Sequence, residues 1–134
     1  MLRIEYSKSY PYSREKVFRD MTDYESLPSK YPDNWRSAKI IERKGPLVRI
    51  ELQGSDVLGD YVQTLIHTPP ERIDSEVDSG KGAGSKEFFY FAEDAGQTKV
   101  TWVAELVGGW EEQHEAIYNY GKKVLDEFYD DNPK

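Results

Sequence analysis

GWEEQHEAIYNYGKKVLDEFYDD, Gly109 to Asp131, is the stretch whose reading decides the fold. Trp110, His114, Ile117, Gly121, Val124 and Phe128 recur at three- and four-residue steps, and at about 100° per residue they form one stripe along a helix. Glu112, Glu115, Asn119, Lys122, Lys123, Asp126 and Glu127 fall on the opposite side. One long amphipathic helix is expected, one face on protein and the other in water. His114 and Gly121 interrupt the stripe. A glycine inside a helix is about 1 kcal/mol worse than alanine, so Gly121 needs a reason: it leaves room for the occupant of an open pocket, or side chains of the rest of the protein fill the space beside it.

From Arg36 to that helix the chain alternates with period two, the signature of half-buried strands. Ala38 and Ile40 lead to the Lys44-Gly45-Pro46 turn, and Val48, Ile50 and Leu52 form the inner set of the next strand. Tyr61, Gln63, Leu65 and His67 share one face and Val62, Thr64 and Ile66 the other, so the inner face of that strand stays open. Ile73, Ser75 and Val77 continue the pattern. Glu87, Phe89 and Phe91 then oppose Phe88 and Tyr90, Asp94-Ala95-Gly96 turns the chain, and Val100, Trp102, Ala104 and Leu106 form the last inner set. Upstream, Leu2, Ile4 and Tyr6 mark a first strand. Ser13 then caps a short helix with Glu15 in its first turn, and a second short helix from Asp23 stops at Pro28 and Pro32. The expected fold class is α+β: a curved antiparallel sheet in β-α-α-β6-α order, wrapped around the terminal helix, with residues 1–134 forming a single domain. Such a sheet and helix enclose a cavity.

Charged residues make up 32% of the chain and the formal net charge is -7, with no stripe of Lys and Arg. Nucleic acid is therefore not an expected partner. The absence of cysteine removes disulfide scaffolds, thiolate zinc sites and thiol nucleophiles. Met1 to Tyr10 lacks an apolar core and no stretch is long enough to span a bilayer, which gives the expectation of a cytoplasmic protein without stable membrane insertion. The pattern specifies neither cargo nor oligomeric state.

Several segments together resemble a known family. They are Pro11-Tyr12-Ser13-Arg14-Glu15-Lys16-Val17-Phe18, Asp23-Tyr24 with Leu27-Pro28 after it, Ala38-Lys39-Ile40-Ile41-Glu42-Arg43, Pro70-Glu71-Arg72-Ile73, and Gly96-Gln97-Thr98-Lys99-Val100-Thr101. In this order they resemble the helix-grip fold of the START-like (SRPBCC) superfamily, which includes polyketide cyclase/dehydratase-like, coenzyme Q-binding and pollen-allergen-like proteins. The resemblance covers essentially the whole chain. It implies a deep pocket between sheet and terminal helix for a lipid, quinone, polyketide or similar molecule, and it does not imply a reaction.

Other motifs carry less. Gly80-Lys81-Gly82-Ala83-Gly84-Ser85-Lys86 has the glycines of a phosphate loop, but its order is wrong and a strand follows where a helix is required, so a flexible hairpin loop is expected. Glu111-Glu112-Gln113-His114 has di-iron spacing without a second copy, and only His67 and His114 offer imidazole, so no metal or other cofactor is expected. No serine lies in a nucleophile elbow.

Three readings of function follow. In the first, an apolar molecule binds against Val48, Ile50, Leu65, Phe89, Trp102, Ile117 and Gly121, with Tyr61, Gln63, His67 and His114 available to its polar end. In the second, a cyclase or dehydratase uses His67 or His114 with Tyr61 or Tyr118 as acid and base. In the third, the cavity is filled by the protein's own aromatics and the outer surface engages a protein partner. The absence of any transferable catalytic set leans against an enzyme.

Overall fold

The computed structural model describes residues 1–130. Strand β1 (Leu2–Tyr10) is followed by α1 (Arg14–Met21), a 3-10 turn at Tyr24–Ser26 and the single-turn α2 (Leu27–Lys30). Six strands follow: β2 (Trp35–Lys44), β3 (Leu47–Gly54), β4 (Asp60–Thr68), β5 (Arg72–Gly80), β6 (Lys86–Asp94) and β7 (Gln97–Leu106). The described chain closes with α3 (Gly108–Glu112) and α4 (His114–Asp126).

The seven strands form one antiparallel sheet in the order β1-β7-β6-β5-β4-β3-β2. Since β1 and β2 are its two edges, the segment between them has to travel from one edge to the other, and its helices settle on the sheet as they go. Helix α1 packs on β6 and β7, and α2 on β2. Ser13 Oγ accepts the Lys16 amide at 3.3 Å, which starts α1, and Val17 and Phe18 are its buried side. Register shifts leave Arg36 and Ile41 of β2 and Asp78 of β5 as extra residues against their partner strands, and such bulges bend and twist a sheet.

Period-two alternation places the side chains as expected. Val48, Ile50 and Leu52 are buried, as are Ile73, Ser75 and Val77, and Val100, Trp102, Ala104 and Leu106. The open face of β4 is resolved as well: Tyr61, Gln63 and Leu65 are buried, while Val62 and Thr64 are half-buried and Ile66 is exposed.

The terminal helix departs from expectation. It is two helices, broken at Gln113, whose backbone (φ -111, ψ 32) leaves the helical region. The expected end at Asp131 lies outside the described residues, and α4 itself ends at Asp126. The break has a tertiary cause. Trp110 donates its indole N–H to the Leu58 carbonyl at 2.9 Å, and the Gly109 amide donates to the Lys81 carbonyl at 3.1 Å. Lys81 Nζ also bonds Gln113 Oε1 and, at 3.0 Å, the Asp56 carbonyl. These bonds hold α3 against the β3–β4 and β5–β6 loops, and α4 sets out afresh across the sheet.

The glycine-rich segment is a hairpin loop, as expected, but it is packed rather than free-standing. A Cβ on Gly82 would overlap the Trp110 indole, so the glycine is what lets the ring lie against the loop. Ser85 is fully buried and its Oγ accepts the Val107 amide at 3.1 Å.

Candidate functional site

Between the inner face of the sheet and α4 lies a cavity of about 140 Å³. Its walls are mostly apolar: Ile50, Leu65, Phe89 and Trp102 come from the sheet, and Ile117 and Val124 from α4. The segment from Met21 to Trp35 closes one side through Tyr24 and Leu27. That side is tied to α4 by Tyr31 Oη, which donates to the Val124 carbonyl at 2.8 Å, and to the turn after α4 by Lys30 Nζ, 3.9 Å from the centre of the Phe128 ring.

Polar wall groups gather on neighbouring strands. Gln63 Nε2 on β4 donates to Ser75 Oγ at 3.0 Å and to Glu87 Oε1 at 2.8 Å. Ser75, directly opposite Glu87 in the β5–β6 register, donates its hydroxyl to the Glu87 carbonyl at 3.0 Å. Trp102 Nε1 on β7 completes the set by donating to Glu87 Oε2 at 2.8 Å. Each carboxylate oxygen thus holds one N–H, which also fixes the orientation of the Gln63 amide, because an ionised carboxylate only accepts. Nearby, Tyr61 Oη accepts the Trp35 indole N–H at 2.9 Å.

Burial dominates the electrostatics. It pushes the Glu87 carboxyl above the usual carboxylate range, against the opposing pull of the Trp102 and Gln63 N–H donors. Glu87 is half-buried by accessible surface and stands on the cavity wall. Tyr61 is also pushed up, first by burial and then by the charge on Glu87. No group of three or more His, Cys, Asp or Glu among the described residues could hold a metal.

Of the residues singled out in the sequence, Ile50, Tyr61, Gln63, Leu65, Phe89, Trp102, Ile117 and Gly121 meet on the cavity wall. Val48, His67 and His114 do not. Val48 is buried in the core behind the wall. His67 lies beneath the α1 segment, where its Nε2 is 2.7 Å from Tyr24 Oη and its ring meets the edge of Phe18. Burial and the nearby Arg43 charge lower its pKa. His114 opens α4, with Nδ1 3.1 Å from the Glu111 carbonyl, because the break at Gln113 takes it out of the continuous stripe. Of the wall residues not singled out above, which include Tyr24, Trp35 and Tyr120, Glu87 is the one carboxylate among the described residues. Its signal was present, since it is in phase with Phe89 and Phe91 on the inner face of β6.

Gly121 answers the question its position poses. A Cβ there would overlap the six-membered ring of Trp102, lying 2.8 Å from Cε3 and closer still to Cζ3 and Cη2. The space beside this glycine belongs to the indole that holds Glu87. Alanine in a helix gains about 1 kcal/mol over glycine, whereas overpacking costs about 1–3 kcal/mol. Gly121→Ala is therefore expected to lower the melting temperature. A variant that melts at or above the parent temperature would show that Trp102 withdraws freely.

No family model matches the sequence, and none of the curated proteins does. Solved structures do. The chain is similar to the Zhui aromatase/cyclase of Streptomyces sp. R1128 (TM-score 0.71, 14% identity, 80% of this chain and 68% of that one). It is also similar to a protein of Thermus thermophilus (TM-score 0.74, 13% identity, 91% and 88%) and to Ara h 8.0201 (TM-score 0.72, 14% identity, 93% and 92%). At these identities the likeness is one of fold, and the fold is the expected helix grip, a curved antiparallel sheet against a C-terminal helix. No helix of the described residues is long and apolar enough to cross a membrane.

Proposed function

From this START-like fold, we propose that the protein binds a small, largely apolar molecule in the cavity between the sheet and α4. The observation that carries the reading is the wall itself, apolar nearly throughout and polar only where a few groups converge. Volume narrows the occupant. An engineered apolar cavity of roughly 150 Å³ takes benzene, whereas pockets for larger ligands span roughly 300–1,000 Å³. At about 140 Å³ the cavity suits a single ring or a short branched chain. A whole polyketide or long lipid requires α4 and the Met21–Trp35 segment to separate.

The reading of a cavity filled by its own aromatics has less support, since Trp102, Trp110 and Tyr61 line the space without closing it. The aromatase/cyclase among the similar folds keeps acid–base chemistry in view as the second reading. In its histidine form that reading lacks an imidazole on the wall, and the proton-moving role would pass to Glu87.

Benzyl alcohol, a neutral one-ring probe, tests the proposal by NMR titration. The expected result is saturable movement of the Trp102 indole N–H and the Gln63 side-chain amide. A folded protein in which neither signal moves would refute it. His67→Gln and His114→Gln are expected to bind the probe within about tenfold of the parent, a loss of no more than about 1.4 kcal/mol. A larger loss in either folded variant would bring that histidine into the site.

A further inference from the structure

Glu87 is an unusual group to find in an apolar cavity. Every other titratable or charged side chain on the wall, among the described residues, is a phenol: Tyr24, Tyr61 and Tyr120. Among the described residues, the wall contains no Lys, Arg or His to balance the carboxylate. From the elements packed around it, Glu87 meets Gln63 and Tyr61 on β4, Ser75 on β5 and Trp102 on β7. These groups supply two N–H bonds to its oxygens and no positive charge. A carboxylate has about four acceptor positions, so two remain. A desolvated carboxylate without a counter-charge is costly, and the cost is relieved by a proton or by a cation.

Resting on the cavity reading above, we propose that the occupant is an organic cation, a primary amine on a one-ring apolar body, with its ammonium group seated on the Glu87 carboxylate. Three further observations point the same way. Trp35, Tyr61, Trp102 and Trp110 are on the cavity wall, and aromatic rings attract ammonium groups, tryptophan most strongly. Gln63 commits its Nε2 to Ser75 and Glu87, and its Oε1 accepts from none of the described residues, which offers a second acceptor to an ammonium with three N–H donors. The net charge of -7 favours the approach of cations over anions. A ligand carboxylate, by contrast, meets Glu87 as a like charge with nothing on the wall to receive it. This sets fatty acids and other acidic cargo apart from the ligands that fit.

The burial that raises the Glu87 pKa makes the proton a competitor for the same site. The sign follows directly. An ammonium binds the ionised carboxylate, so affinity for an amine rises with pH as Glu87 gives up its proton in the free protein, until the amine itself deprotonates. Affinity for a neutral alcohol does not follow that rise.

Calorimetric titration of the parent with benzylamine, benzyl alcohol and benzoate separates the outcomes. Benzylamine is expected to bind at least about tenfold more tightly than benzyl alcohol, with benzoate not binding. The advantage of the amine is expected to grow from acidic to neutral pH and to disappear in Glu87→Gln, while benzyl alcohol still binds that variant. Carbon-detected NMR of the parent gives a readout that needs no substitution. The Glu87 carboxyl signal is expected to move to its ionised position on adding benzylamine at mildly acidic pH, and not on adding benzyl alcohol. Equal binding of amine and alcohol by the parent overturns the cation assignment and leaves the cavity reading standing. An amine preference that survives in folded Glu87→Gln overturns the role of Glu87. Failure of both benzylamine and benzyl alcohol to bind overturns the cavity reading together with this one.

Discussion

A chain ending at Val107 is expected to lose cooperative folding altogether. The truncation removes Trp110, Ile117, Leu125 and Phe128, each buried in the core. Complete burial of side chains of this kind contributes about 1.5–3 kcal/mol apiece, so the four together supply about 6–12 kcal/mol. The net stability of a domain is about 5–15 kcal/mol, and the loss is of the same size. The inner faces of Ile50, Leu65, Phe89 and Trp102 would then meet water as one apolar surface, and aggregation should follow. Thermal melts followed by circular dichroism, with light scattering in parallel, provide the test. A truncated protein that stays soluble and melts cooperatively would overturn the view that α4 completes the core.

The second large effect is expected at Trp110, where the β5–β6 loop, the β3–β4 loop and α3 converge. Its ring is 2% exposed, stands edge-on to Tyr61 at 5.0 Å and lies over Gly82, with its N–H on the Leu58 carbonyl. Trp110→Ala is expected to cost about 3–5 kcal/mol, the usual range for deleting a large buried aromatic. Gly82→Ala is expected to cost about 1–3 kcal/mol, because the new methyl group runs into the indole. The double variant distinguishes an anchor from two independent defects. With the indole gone, the methyl at position 82 has room, so Gly82→Ala on the Trp110→Ala background should cost close to nothing. The expected coupling lies within about 0.5–3 kcal/mol. Additive losses in urea denaturation would mean that the two residues do not hold each other.

Trp110 and Gly121 bear on function because both stand on the cavity wall and set how the terminal helices meet the sheet there. Trp110 fixes where the terminal helices begin, and Gly121, two turns into α4, allows the backbone to approach Trp102 closely enough for the indole to fit. Trp102 in turn donates to Glu87. A change in the glycine loop is thereby linked through packed groups to the carboxylate in the cavity, although Gly82 is not on the cavity wall.

Much of this molecule is determined by its local sequence pattern. Alternation with period two selected the inner residues of β3, β5 and β7, because successive side chains on a strand point to opposite faces whatever the strand is paired with. A stripe at three- and four-residue steps likewise put Ile117, Gly121 and Val124 toward the sheet. Tertiary structure decided the rest. The inner face of β4 was ambiguous until pairing and burial chose Tyr61, Gln63 and Leu65 over Val62, Thr64 and Ile66. The break at Gln113, which removed His114 from the stripe, depends on Lys81 and Leu58, residues far away in the chain. Whether Gly121 leaves space for a ligand or for a side chain depended on the register that brings Trp102 beneath it. Glu87 looked like one polar residue in a strand until the pairing of β4, β5, β6 and β7 surrounded it with Gln63, Ser75 and Trp102. The physical reason is common to all of these. Periodicity is a property of a few consecutive residues and encodes which way a side chain faces, whereas the partner it meets there is set by strand register and helix docking between segments that the local pattern does not connect.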